Sequence, residues 1–291
     1  MLIHSKTLTL PDHRALTYAE YGDPAGSPVI WLHGNPSCRR EPELFDPTLL
    51  ARLHIRAIVP DRPGIGQSDD KPARRLLDWP TDLAALTAAL KIDRFALLAL
   101  SAGAPYLAAC ARVMPHRITR AAIVSGIAPW EALEPAERRS PGLRYFAAAR
   151  RSSRFSRGLI WLMRQGMHQP DKWMARATAG LPPVDQAVLA EPRVRQSFLA
   201  LLHEAWRRGG RGLAWDAMLV SRPWGFALEE ITLPVYLWHG DADRNAPLAM
   251  GLHLAAALRN SRLQVVPNEG HFSLAVRHLE TILRTLSVPH C

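Results

Sequence analysis

Six short apolar runs constrain this chain of 291 residues more than any other feature. They cover residues 29–33, 56–60, 95–100, 121–125, 234–239 and 263–267, and each stops at a polar, Gly or Pro position. A run of this length without polar alternation suits a strand of a parallel sheet that is covered on both faces. Amphipathic stretches lie between the runs. Residues 81–91 carry Leu83, Leu86 and Leu90 at helical spacing, and residues 102–113 end ahead of Pro115. Residues 248–258 and 272–286 are likewise helix-like. Residues 6–10 and 16–22 alternate apolar and polar side chains, as an antiparallel hairpin at a sheet edge does. Strands that alternate with helices imply an α/β fold: a mostly parallel central sheet flanked by helices.

The pattern breaks once, between residues 128 and 230. Apolar residues there recur at helical spacing, as in Leu162, Met163 and Met167, and no long strand-like run appears. This stretch reads as a helical cap inserted into a core formed by residues 1–127 and 231–291. It holds six of the nine Trp residues, and between Glu131 and Arg222 sixteen cations face eight acids. The whole chain carries a formal charge of +10. Only four of its 36 basic residues are Lys, and cations cluster no further than pairs such as Arg39-Arg40. With no basic stripe and no nucleic-acid motif, a nucleic-acid partner is not expected. A membrane-surface role is the weaker reading, because no long helix with a cationic face is evident. A homodimer through the Trp-rich cap stays open. The three cysteines Cys38, Cys110 and Cys291 have no metal-like spacing, so a reducing compartment is expected and no metal or cofactor is implied. The amino terminus has no apolar signal core, which makes a cytoplasmic location the expectation.

Chemistry concentrates where the apolar runs end. Ala99-Leu100-Ser101-Ala102-Gly103 carries a strand into a small-residue turn and then a helix. A serine at such a corner is raised above the sheet, and the N–H of Ala102 points to where an oxyanion forms. Trp31-Leu32-His33-Gly34-Asn35-Pro36 ends an earlier strand in a loop that can offer a second donor, the N–H of Asn35. His33 reads as a structural imidazole of that loop. A late strand closes on Asp241 and Asp243, and the last one on Asn268-Glu269-Gly270-His271-Phe272. A hydroxyl needs an imidazole to activate it, and the imidazole needs a carboxylate to orient it. The chain supplies them in the order Ser, acid, His.

These residues resemble the α/β-hydrolase fold superfamily over the full length, with the cap as the variable part. Asp61-Arg62-Pro63-Gly64-Ile65-Gly66-Gln67-Ser68 is similar to its Asp-Arg-x-Gly-x-Gly-x-Ser loop, while Ala99 stands where the usual pattern has Gly. The resemblance implies Ser101 as nucleophile, His271 as base and Asp243 as acid, three residues after Gly240, with Asp241 stabilising the loop. A further resemblance, to bacterial hydrolases with His-Gly-x-Pro-x-x-Arg and a Pro-Tyr after the elbow (Pro105-Tyr106), places Arg39 or Arg40 near the cleft mouth. The competing reading is a solvated surface pair. Haloalkane dehalogenases and epoxide hydrolases resemble the chain in the His-Gly-Asn-Pro loop but carry Asp at the elbow. Proline iminopeptidases carry a Gly-Gly-Pro-Gly segment that is absent here.

The expected function is that of a serine carboxylic-ester hydrolase acting on a small to medium apolar ester. Asn35 and Ala102 form the oxyanion hole, and Gly34, Trp130 and Phe272 contact substrate under a cap that presents Trp and Met side chains. A C–C bond hydrolase, a lactonase or a perhydrolase on the same triad is an alternative, as is a ligand-binding protein without turnover.

Overall fold

The computed structural model describes residues 5–287 and consists of one eight-stranded sheet with helices on both sides. The strands are β1 (Ser5–Thr9), β2 (Ala15–Gly22), β3 (Ser27–Leu32), β4 (Ile55–Pro60), β5 (Phe95–Leu100), β6 (Ile118–Val124), β7 (Val235–Gly240) and β8 (Ser261–Val266). Their spatial order is β1-β2-β4-β3-β5-β6-β7-β8. The hairpin β1–β2 and the β2–β4 pair are antiparallel, and the remaining pairs run parallel.

Alternation along the strands sorts their side chains into two cores. Ile30, Leu32, Leu97 and Ala99 face one side, where α2 (Trp79–Ala89), α3 (Ala104–Val113) and α10 (Leu248–Ala257) pack. Val29, Trp31, Leu98 and Leu100 face the other, covered by α1 (Leu49–Arg52) and α11 (His271–Ser287). All six residues of β5 are buried, which is why this segment reads as an unbroken apolar run. β1 is mostly exposed and is tied to β2 by the Lys6–Glu20 ion pair, a charged side chain on an edge strand.

The sheet's helices and strands differ from the sequence expectations mainly at their ends. β6 starts at Ile118, ahead of the apolar run, because Thr119 and Arg120 sit half-buried at the start of the strand. The helix expected from residue 102 is preceded by a 3-10 turn over Ser101–Gly103. Between β6 and β7 lie α4 (Arg144–Arg151), α5 (Ser153–Gly166), α6 (Pro170–Thr178), α7 (Pro183–Ala190), α8 (Pro192–Ala205) and α9 (Arg211–Val220). Cys38 and Cys110 are free and buried, and Cys291 lies outside the described residues. Among the described residues no helix is long and apolar enough to cross a membrane.

Candidate active site

Ser101 is the first residue after β5. Its φ of +51° is in the left-handed region, where a side chain stays only if the surroundings enforce it. Gly103 is the enforcing residue. A Cβ there would lie 2.2 Å from the backbone oxygen of Leu32, so the turn closes against β3 only without a side chain. Ala99, the departure from the usual pattern, is fully buried in the α2/α3 core, which accommodates its methyl. The serine is thereby held in the wall of a cavity of about 210 Å³.

His271 opens α11 and lines the same cavity. Its Nδ1 lies 2.8 Å from Oδ2 of Asp243, so this nitrogen carries the proton and Nε2 carries the ring's lone pair. Asp243 follows β7. Its other oxygen accepts the N–H groups of Asn245 and Ala246, both at 2.8 Å. Burial disfavours charge on both groups, yet the pairing prevails. Asp243 is held below the ordinary carboxylate range by His271 and the N–H donors, and His271 is held above the ordinary imidazole value by Asp243. Asp241 accepts the N–H of Asn268 and so ties the acid loop to the His loop.

The loop after β3 supplies the opposite wall. A Cβ on Gly34 would stand 3.5 Å from that of Ser101, so the loop lies directly against the serine. The N–H of Gly34 donates to Glu41. His33 is fully buried; its Nδ1 lies 2.9 Å from the Gly34 oxygen, and burial holds it uncharged. It serves the loop, as expected.

Two expectations are corrected. Trp130 does not line the cavity; it is buried in the α2/α3 core with Leu133. Of the six insertion Trp residues only Trp206 reaches the cavity wall, beside Met163, while Trp161 is exposed. Phe and Leu side chains supply more of the lining, because most indoles are taken up in packing the insertion. Arg39 is neither at the cleft mouth nor a solvated surface residue. It is 2% exposed and bridges Asp61 and Glu204, while Arg40 pairs with Glu43. Gly34 and Phe272 do line the cavity.

Three buried carboxylates escaped sequence reasoning. Glu41 accepts from Gly34 N, Ser37 Oγ and Trp31 Nε1, and burial raises it above the usual range. Asp185, on α7, accepts the N–H groups of His271 (2.9 Å), Phe272 (3.0 Å) and Ser273 (2.8 Å). Asp216, on α9, takes two bonds from Arg62 and one each from Tyr106 and the Asn35 amide. Arg62 in turn donates to the backbone oxygens of His33 and Gly34. Tyr106 of the Pro-Tyr pair thus braces the insertion against the loop beside Ser101. Only Asp216's i,i+3 and i,i+4 setting among apolar residues hinted at burial, and nothing in the sequence hints at its partners.

A family model described as alpha/beta hydrolase fold matches residues 27–277. A non-heme chloroperoxidase of Streptomyces lividans is 32% identical over 127 residues, which span 42% of this chain and 45% of that protein, less than half its length. A thermophilic esterase of Thermogutta terrifontis superposes with a TM-score of 0.67 at 21% identity, covering 97% of each chain. An esterase of Rhodococcus sp. gives 0.67 at 20% identity, over 99% of this chain and 98% of that one. With the turn at Ser101, the parallel sheet beneath it and a match over most of its length, the chain belongs to the alpha/beta hydrolase fold family.

Proposed function

We propose that the protein is a serine hydrolase of carboxylic esters, with Ser101 as nucleophile, His271 as general base and Asp243 as orienting acid. The observation that carries this reading is a left-handed serine in a cavity wall shared with an imidazole already paired to a buried carboxylate. In this mechanism Nε2 of His271 takes the Ser101 proton as Oγ attacks the ester carbonyl. The N–H groups of Asn35 and Ala102 receive the oxyanion, and the imidazolium returns its proton to the departing alcohol. Water then repeats the sequence on the acyl-enzyme. Residues 128–230 act as the cap over the site. The small volume and apolar lining, with Leu100, Val124, Met163 and Phe198, suit a small acyl group.

The test is hydrolysis of short p-nitrophenyl esters together with labelling of the serine by a fluorophosphonate. Ser101→Ala should lose the label entirely and lower turnover by about 10⁴- to 10⁶-fold. Stoichiometric labelling of that variant overturns the assignment.

A second reading is perhydrolysis, favoured by the relative named as a chloroperoxidase. Hydrogen peroxide would replace water at the acyl-enzyme and release a peracid. Peracid formation from acetate and peroxide distinguishes it.

A further inference from the structure

Ser101 has a counterpart on the neighbouring strand. Leu100 of β5 pairs with Val124 of β6, so the next positions, Ser101 and Ser125, stand side by side at the carboxyl ends of two parallel strands. Ser125 also has a left-handed backbone, with φ of +49°, and its N–H is fixed to the oxygen of Trp238 on β7. Ser125 is one of the residues lining the cavity and is 2% exposed, and its buried hydroxyl has no hydrogen-bond partner among the described residues. A buried hydroxyl without a partner is costly, and strain persists where function uses it.

A second unpaired atom lies on the other side of the serine. Asn35 follows β3, the strand that flanks β5 opposite β6. Its amide nitrogen donates to Leu213 O and to Asp216, which fixes the amide's orientation and leaves Oδ1 buried and unpaired. Two residues of the cavity lining, one on each side of Ser101, thus carry a buried unpaired oxygen: a hydroxyl that donates and accepts, and an amide oxygen that only accepts. A hydroxyl is a substituent that can pair with either.

Distance says where it belongs. Adjacent strands lie about 4.8 Å apart. A hydrogen bond of about 2.8 Å covers over half of that span, and one or two bonds of carbon skeleton cover the rest. Resting on the ester-hydrolase reading above, we infer that Ser125 is a specificity-determining residue that pairs with a hydroxyl on the carbon α or β to the scissile carbonyl. The substrate class is therefore the small hydroxyacyl ester, not the plain alkanoate.

The test compares kcat/KM of the full chain on ethyl butanoate, ethyl 2-hydroxybutanoate and ethyl 3-hydroxybutanoate, with ethylene glycol monobutanoate as the alcohol-side control. The wild type should favour one hydroxyacyl ester by about tenfold. Ser125→Ala and Ser125→Gly should each reduce that ratio to within about twofold. Glycine tolerates the left-handed backbone, so it provides a folded comparison should the alanine variant fail. Fluorophosphonate labelling of Ser101 confirms an intact nucleophile in each. Equal rates on all esters, a preference confined to the glycol ester, or a ratio that survives both substitutions overturns the inference. A wild type that takes no label defeats the ester-hydrolase reading instead. A labelled wild type without discrimination defeats only the role of Ser125.

Discussion

His271 is gripped at two points by two carboxylates. Asp243 holds its ring and Asp185 holds its backbone N–H. Burial alone would lower its affinity for a proton, and Asp243 reverses that. Because the raised value belongs to the folded enzyme, kcat/KM should fall as pH drops through a midpoint above about 6.5. Asp243→Asn removes the raising charge and leaves the burial. Its acid limb should therefore move to lower pH while the rate falls about 10⁴-fold, read from the pH profile of ester hydrolysis or of labelling. At this scale the sequence was informative where chemistry and spacing coincide. Ser101, Asp243 and His271 follow strands and sit in recognisable segments. Arg39 and Trp130 are illegible for a common reason: a long side chain near a site motif carries no mark of whether it ends in the cavity or among buried neighbours.

At the scale of elements, the parallel strands were legible because burial on both faces removes polar alternation, and β5 is the clearest case. Helix ends were less legible, since the turn at Ser101–Gly103 is set by the approach of β3 and not by local propensity. The start of α11 shows the same dependence. Its first N–H groups are satisfied by Asp185, which reaches in from α7. An acid at a helix amino terminus gains from both the free donors and the helix dipole. Asp185→Ala should cost about 2 kcal/mol, measured as a lower denaturant midpoint. It should also lower the acid-limb midpoint, because Asp185 helps to favour the charged form of His271. Asp185→Asn, which keeps one accepting oxygen, should recover part of the lost stability.

Across the whole molecule, the insertion and the sheet are joined through buried charge. Asp216 and Arg62 are both fully buried, and 154 positions separate them in the chain. Burial opposes the charge of Asp216, but Arg62, Arg74 and Tyr106 more than offset it and hold the carboxyl well below its ordinary range. Asp216→Ala leaves Arg62 charged and unpaired in the interior, which should cost about 3–5 kcal/mol in a denaturant titration. Such pairs are illegible in sequence, because they depend on two segments meeting only after the sheet has formed. The insertion's composition announced helices and excess cations, but not that three of its side chains, Glu204, Asp216 and Asp185, fasten the loops around Ser101 and His271.

The anchoring of His271 by Asp185 limits how the protein can be reshaped. Gly270, just before His271, packs so tightly on Asp185 that even a methyl would collide with its carboxylate. Trimming or transplanting the segment that bears α7 would unseat the His271 imidazole along with it. A redesign that enlarges the cavity therefore has to keep that helix and carve space elsewhere, from the side chains that α5 and α8 present to it.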